Sequence, residues 1–311
     1  MRSLGKQLIT RNAAWGYPLL PLTRWVRGPL RWLYHRSPYL QHDSRFHWKP
    51  NVLLGLHQLL VRDHPADFAI YDGKIRFRST GGVMSLQGYY VGEIERHLVD
   101  FVVAQLRDGF TMIDVGAHHG VFTTIVAYEL RARGWRGHVH SFEPDPGNFA
   151  LLAHNVAQND LGAYVTLHRA AVADVAGEAE LVGAEGENSG NTLAQVSDFA
   201  LEPDAPRVSR RVTVTTLDAM LAEVAHVDFI KLDIQGAEPL ALAGGRALIE
   251  RDRPVIAVEA VEGWPSSQRV RDELAARGYR IHGVTRDGRP CEVGSADAFV
   301  SWDWVALPPP R

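Results

Sequence analysis

Apolar runs alternate with amphipathic segments from residue 91 onward, and this pattern predicts an α/β fold. Helical spacing predicts a leading helix in VGEIERHLVDFVVAQLR and four more over 119–133, 146–159, 237–250 and 266–277. The apolar runs between them predict strands in FTMIDV, HVHSFE, AYVTLHRAAV, VDFIKLDI, PVIAVEA and YRIHGV. Because such strands form parallel sheets covered on both faces, we expect a doubly wound sheet.

The region ahead of these elements has a different pattern. Asp72-Gly73 lies between the alternating runs FAIY and KIRFR, which predicts a β-hairpin over 67–78. We therefore divide the chain into an N-terminal extension, residues 1–85, and a main domain, residues 86–311.

Charge separates the extension from the rest of the chain. Residues 1–49 hold nine Arg or Lys against one acid, with four Trp, whereas the 311-residue chain has a formal net charge of −3. This composition fits packing on the main domain, or contact with an anionic membrane surface, a partner protein, a second copy of the chain or an acidic substrate. Without a recognition motif we expect no nucleic-acid partner.

Cysteine content and hydropathy further limit the type of protein that this chain can be. The single cysteine, Cys291, can form neither an internal disulfide nor a Cys-rich zinc site. No run approaches the roughly 20 apolar residues of a membrane span, and no signal peptide is evident. We expect a soluble cytoplasmic protein.

A glycine turn follows the first predicted core strand. It reads D-x-G-x-x-x-G from Asp114 to Gly120, and the next strand ends in Glu143. An acid at that strand tip commonly accepts hydrogen bonds from ribose hydroxyls. Because the turn lacks the G-x-G-x-x-G pattern that cradles a diphosphate, it suits an uncharged or cationic ligand such as S-adenosylmethionine. Turn chemistry for the glycines and helix capping for Glu143 are the alternatives.

Five strings in order resemble the FkbM family of S-adenosylmethionine-dependent methyltransferases over roughly residues 89–285: IDVGAHHGVFT, FEPDPGNFALLAHNVAQN, AAVADVAGEAEL, VTTLDAML and VDFIKLDIQGAE. The resemblance implies the seven-stranded, mostly parallel, Rossmann-like sheet of class I methyltransferases. It also implies methylation, mostly of hydroxyl groups on sugars, polyketides, peptides and related natural products. Carboxylate or nitrogen methylation of a peptide-type substrate, a nicotinamide-dependent oxidoreductase and a non-catalytic cofactor-binding partner are the competing interpretations.

The resemblance also assigns cofactor residues by position. Those framing the methionine part of the cofactor would be Asp114, Gly116, Ala117 and Gly120, with Asp233 at its edge. Glu143 and Pro144 would contact the ribose, and Asp174 the adenine amino group, unless Asp174 is only a turn residue. The chain departs from the family in having His118 in place of an Asn and Gln235 in place of an acid.

Methyl transfer to a hydroxyl requires a base near the cofactor. We favour Asp233, which directly follows a buried strand, with Glu259 on the adjacent strand tip and His118 as further candidates; capping of the next helix is the alternative for Asp233. Lys231 shares a strand face with Asp233 and is expected to pair with it. Two neighbouring carboxylates could also bind Mg²⁺, although we assign no metal site.

Substrate contacts are expected from three places. The polar segment 183–209 is predicted to be a long loop that overhangs the site and contributes Asn188 and Asn191. Tyr89 and Glu93, ahead of the leading helix, are expected to form the opposite wall. Glu238 follows the strand that carries Asp233 and is the remaining candidate.

Overall fold

A computed structural model describes residues 66–80, 94–184, 190–196, 207–260, 263–293 and 303–310. The chain divides into two units, residues 1–94 and 95–311. The predicted boundary after residue 85 and the whole basic segment 1–49 lie outside the described residues. Within those residues, no helix is long and apolar enough to cross a membrane.

The predicted hairpin is present in the first unit. Strands β1 (Ala66–Ile70) and β2 (Ile75–Ser79) pair antiparallel, with Ile70 opposite Ile75. Asp72 and Gly73 take positive φ angles of 55° and 82° in the connecting turn. Phe68 and Phe77 face each other across the ladder with ring centroids 5.7 Å apart, so their contact supports the hairpin.

The second unit alternates helices and strands as predicted. In chain order its elements are α1 (Arg96–Gln105), β3 (Phe110–Val115), α2 (Val121–Ala132), β4 (Gly137–Phe142), α3 (Pro146–Gln158), a 3-10 turn (Gly162–Tyr164), β5 (Val165–His168), β6 (Ala171–Val172), β7 (Gly177–Ala184), β8 (Thr192–Leu193), β9 (Arg207–Thr215), α4 (Leu217–Met220), β10 (Phe229–Leu232), α5 (Glu238–Gly244), α6 (Arg246–Asp252), β11 (Val255–Glu259), α7 (Pro265–Ala276), β12 (Arg280–Val284), β13 (Pro290–Cys291) and β14 (Asp303–Leu307).

The main sheet confirms the α/β doubly wound prediction. Its strand order is β5-β4-β3-β10-β11-β14-β12-β13. Seven of these strands form the expected mostly parallel sheet, in which β14 runs antiparallel to both neighbours, and the two-residue β13 adds a short edge. The order reverses between β3 and β10, and ligands of open α/β sheets bind at the carboxyl ends of strands beside such a switch point.

The two faces of the central strands differ in chemistry. On one face, Ile113, Ile230 and Ile256 belong to an apolar core with α4, α5, α6 and α7. On the other face, Phe229 packs against Phe101 of α1 with ring centroids 6.2 Å apart. That second face also carries Asp114 and Lys231 side by side near the carboxyl ends of the strands. The charged groups are therefore built into the sheet where a ligand would bind.

Three predictions for this unit are corrected. The strand predicted in AYVTLHRAAV is two strands, β5 and β6, which belong to different sheets. The helix predicted over 237–250 is two helices, α5 and α6, which are separated at Gly245, where φ is −112° and ψ is 18°. The predicted loop 183–209 is partly strand. β7 and β9 form an antiparallel ladder that extends to Ala184 opposite Arg207, and β8 pairs with β7. Together with β6 they make a separate four-stranded sheet.

Candidate active site

The glycine turn at the end of β3 has the close backbone packing that its sequence predicts. The amides of Gly116 and Ala117 both donate to the Phe142 carbonyl at 3.0 Å. Gly116 has a φ of 79°, and a Cβ there would lie 2.0 Å from the Asp233 carbonyl oxygen. Only glycine fits this position, so the turn is locked against the loop that follows β10.

Glu143 joins the turn to the start of α3. Its two carboxylate oxygens each accept one backbone hydrogen bond at 2.9 Å, from the amides of His118 and Asp145. The helix cap is Asp145, which accepts from the Gly147 and Asn148 amides at 2.8 and 3.0 Å. Capping is therefore excluded as the role of Glu143. Burial raises the pKa of Glu143 to about 7, against the opposing effect of the two amide donors.

Asp114 is a buried acid whose two carboxylate oxygens differ in their contacts. It is 1% exposed, and its Oδ2 accepts from Thr123 Oγ1 at 2.6 Å. Within the described part of the chain, Asp114 Oδ1 has no hydrogen-bond partner. Burial raises the pKa of Asp114, while the neighbouring Lys231 ammonium lowers it. A buried acceptor in this state suits a ligand that brings a donor, such as an ammonium group.

The predicted pairing of Lys231 with Asp233 is confirmed. Lys231 Nζ donates to Asp233 Oδ2 at 2.7 Å and lies 4.8 Å from the ring centre of Phe122. Burial opposes the charged ammonium, but the carboxylates of Asp233, Glu95 and Asp114 raise the pKa of Lys231 overall. The helix that follows, α5, is preceded by Ala237 and not by Asp233, so Asp233 does not cap it.

Asp233 and Glu259 converge at the edge of the sheet. Gln235 Nε2 donates to Glu259 Oε2 at 2.7 Å and lies 3.4 Å from Asp233 Oδ1. Burial and the nearby Asp233 raise the pKa of Glu259 well above its ordinary value. Burial also opposes the charge of Asp233, but Lys231 and hydrogen bonds keep its pKa below the usual range. Within this pair the charge is therefore favoured on Asp233 and the proton on Glu259.

A comparison with known protein families identifies the family of the chain. A family profile described as the methyltransferase FkbM domain matches residues 114–281, more than half of the chain. The chain belongs to the FkbM methyltransferase family. It is accordingly an enzyme that transfers methyl groups from S-adenosylmethionine, and the resemblance drawn from the sequence is confirmed. No curated protein matches the chain.

Solved structures give weaker likenesses to this FkbM methyltransferase. The FkbM methyltransferase of Methylobacillus flagellatus KT is 18% identical at a TM-score of 0.41, covering 65% of this chain but only 45% of that one. A precorrin-6y C5,15-methyltransferase from Geobacter metallireducens GS-15 is 14% identical at a TM-score of 0.41, covering 74% of this chain and 94% of that one. The O-methyltransferase TomG from Streptomyces achromogenes is 12% identical at a TM-score of 0.40, covering 70% of this chain and 81% of that one. These low TM-scores show nothing about the substrate of this enzyme.

The two histidines of the FkbM turn are stacked on each other. The His118 and His119 ring centroids are 3.7 Å apart, and His119 Nε2 lies 3.2 Å from Asn148 Oδ1. Burial lowers the pKa of His118 to about 4. His118 is therefore a neutral imidazole at pH 7 and a weaker base than a free histidine.

Three further predicted site residues, Glu238, Asp174 and Asn191, make contacts within the protein. Glu238 is 2% exposed, and its Oε1 accepts from the Ile234 and Gly236 amides at 2.9 and 3.2 Å, so it supports the backbone turn after β10. Asp174 is exposed, and its Cα packs beside Gly244 at the end of α5. Asn191 packs over Gly183 of β7. Outside the described residues lie Tyr89, Glu93 and Asn188.

Glu95 is a site residue that the sequence analysis missed. It directly precedes α1, and it interacts electrostatically with Lys231, Asp303, Asp233 and Asp114. Burial, reinforced by the three aspartates and opposed by Lys231, raises the pKa of Glu95 to about 8. The available signal was weak, since it consisted only of an acid in the helix that leads into the first core strand.

Metal binding stays a separate question. Among the described residues, no group of three or more His, Cys, Asp or Glu side chains is arranged to hold a metal ion. The prediction that Asp233 and Glu259 could bind Mg²⁺ is not tested by this result, and no step below depends on a metal.

Replacing Glu143 by alanine should weaken binding of S-adenosylhomocysteine by about 1–3 kcal/mol, the scale for leaving hydrogen-bonding groups unmatched. Isothermal titration calorimetry measures this directly. Glu143→Gln, which keeps an acceptor oxygen, should lose less. The exposed Glu178→Ala on β7 is the matched control and should bind like the parent. Unchanged affinity in folded Glu143→Ala would remove Glu143 from the cofactor site.

The ligand-free enzyme should lose stability as the pH rises from about 6.5 to 8. Glu95, Glu143 and Glu238 have pKa values raised from 4.5 to about 8, 7 and 7, so the folded protein holds protons there that the unfolded chain has released. The free energy of unfolding then falls with pH. Buried histidines with lowered pKa values, including His118, act in the opposite direction only below about 6.5. Denaturant titrations at constant ionic strength test this, and a rising free energy over the same range would contradict it.

Proposed function

We propose that this FkbM methyltransferase methylates a hydroxyl group on a sugar, polyketide, peptide or other small natural product. The observation that carries the proposal is the contact between the cofactor turn and the Asp233 loop. Gly116 packs directly on the Asp233 backbone, and the Asp233 side chain is held by Lys231 and Gln235. A proton acceptor therefore lies beside the turn that would hold the methyl donor.

Different residues of the chain have different roles in the reaction. When bound, S-adenosylmethionine supplies the methyl group on a positively charged sulfur. The Gly116–Gly120 turn and Glu143 would hold the cofactor, and the Asp114 oxygen that has no hydrogen-bond partner among the described residues suits its ammonium. The part of the chain itself would be to hold an acceptor hydroxyl next to the methyl group that the cofactor supplies. Asp233 takes the hydroxyl proton, since it is the ionised member of the acid pair.

The charge of the site supports a hydroxyl over the other acceptors. Glu95, Asp233, Glu259 and Asp303 lie at this edge of the sheet, so a carboxylate acceptor would add one more acid to an acid-rich site. A neutral amine carries its own lone pair and has no need of a base. A hydroxyl becomes a good nucleophile only when its proton is removed, which is the task that Asp233 is placed to perform.

The direct test is methylation of a panel of acceptors. The purified enzyme is incubated with isotopically labelled S-adenosylmethionine and with sugars, polyketides and peptides that offer hydroxyl, carboxylate or amine groups. We expect label transfer to a hydroxyl, with the product identified by mass spectrometry and by the O-methyl signal in NMR. Transfer only to nitrogen or carboxylate would overturn the hydroxyl assignment and leave methyl transfer intact. Cofactor binding without transfer to any class would favour a non-catalytic partner.

Asp233→Asn should lower turnover of the identified acceptor by about 10²–10⁴-fold, the usual range for loss of a general base. The asparagine keeps the size of the side chain, so S-adenosylmethionine affinity should change much less than kcat. Asp287→Asn is the control, because Asp287 is an exposed residue paired with Arg289. Full turnover in Asp233→Asn would transfer the role of base to Glu259 or His118.

A further inference from the structure

Arg210 of β9 connects the second sheet to the loop that carries Glu143. Arg210 Nη1 donates to Asp145 Oδ2, and Asp145 lies two residues after Glu143. The Asp145 side chain is 1% exposed and the Arg210 side chain is 46% exposed. In the described ranges, Arg210 is the one basic side chain within ion-pair distance of Asp145. A buried acid therefore depends on a single arginine from another sheet for its counterion.

The strand places this arginine on the inner face of the second sheet. Side chains alternate between the two faces of a strand, so Arg210 shares the face of Val212 and Val214. Both valines are buried in the apolar cluster of that sheet. The next residue, Arg211, lies on the opposite face, is exposed and pairs with the exposed Glu178 at 3.6 Å. Of two adjacent arginines, one is thus directed to the Glu143 loop and the other to solvent.

Asp145 is the middle member of a continuous set of contacts that ends at Glu143. Its Oδ1 caps α3 by accepting from the Gly147 and Asn148 amides, which leaves Oδ2 for Arg210. The Asp145 amide donates to Glu143 Oε1 at 2.9 Å. One of the two backbone bonds that fix Glu143 therefore comes from a residue whose side chain is held by Arg210.

Loss of the Arg210 charge would reach Glu143 through Asp145. A buried carboxylate without its counterion is unfavourable, so it either turns toward solvent or takes up a proton. If it turns, it gives up the cap of α3, and if it is protonated, it becomes a weaker acceptor for the two capping amides. Either change displaces or loosens the Asp145 amide that donates to Glu143.

We propose that Arg210 is a positioning residue for the cofactor, which holds Asp145 so that the Glu143 carboxylate is ordered to receive the ribose of S-adenosylmethionine. The inference rests on the proposed function, in which Glu143 holds the cofactor. Arg210 acts through Asp145 and not by touching the reacting groups. The second sheet thereby sets the affinity of the enzyme for its methyl donor.

Double-mutant cycles on S-adenosylhomocysteine binding, measured by calorimetry, test the inference without any methyl acceptor. Arg210→Met keeps a long apolar side chain on the inner face but removes the charge. It should weaken binding by about 3–30-fold, within the coupling range for residues of one hydrogen-bond and ion-pair network. In a Glu143→Ala background the same substitution should have little further effect, because the residue through which Arg210 acts is gone.

Two further variants separate charge from packing. Arg210→Lys keeps a cation and should recover most of the affinity that Arg210→Met loses. Arg211→Met removes a charge from the adjacent position on the opposite face, so it is the matched control and should bind like the wild type. Asp145→Ser keeps a helix cap but offers Arg210 no carboxylate, and it should weaken binding as Arg210→Met does.

The outcomes distinguish this inference from the proposed function. Wild-type affinity in folded Arg210→Met, or a loss that adds in full to that of Glu143→Ala, would overturn the inference alone. If Arg210→Met does not fold, Asp145→Ser provides the test, and wild-type affinity in that variant would overturn the inference as well. Absence of S-adenosylhomocysteine binding to the wild type, or unchanged affinity in Glu143→Ala, would overturn the proposed cofactor site and the inference with it.

Discussion

The buried ammonium of Lys231 is the charge on which the rest of the site depends. It lies on a strand covered on both faces, is 4% exposed, and donates to Asp233 in the loop after β10, with the acids Asp114 of β3 and Glu95 before α1 as further electrostatic partners. A buried charge is tolerated only when it is paired, and these acids would repel one another without it. One lysine therefore allows Asp114, Asp233 and Glu95 to share the same edge of the sheet.

Backbone packing fixes the distances that this charge cluster needs. Gly116 leaves no room for a side chain between the cofactor turn and the Asp233 carbonyl. On the other side, Thr192 Oγ1 of β8 donates to the Gln235 carbonyl at 2.9 Å, and Gln235 has a φ of 55°. The loop after β10 is thus held by the turn and by the second sheet at once. This support comes before any ligand binds, which is the preorganisation that a transfer reaction requires.

The buried strands of the main sheet could be predicted from the sequence, because burial on both faces produces an apolar run. The FTMIDV run coincides with β3 because a parallel central strand is apolar almost throughout. Other elements could not be predicted in this way. The helix predicted over 237–250 is interrupted at Gly245, and β14 was not predicted because five residues of an antiparallel strand give little periodic signal. Strand tips likewise pointed to Asp233, Glu143 and Glu259, but Glu95 reaches the site only through the contact of α1 with β14.

The position of β14 has a consequence for how this enzyme forms on the ribosome. Its residues follow all the other strands of the main sheet in the chain, yet it occupies an interior position between β11 and β12. Domains begin to fold as their N-terminal parts are synthesised. The nascent chain can therefore assemble the cofactor turn and the acid pair while a slot between two strands stays open, and both neighbours expose unpaired edges until Asp303–Leu307 emerges. Vectorial synthesis makes this interior strand the closing step of the sheet, and a pause before it would leave a nearly finished domain prone to association with other chains.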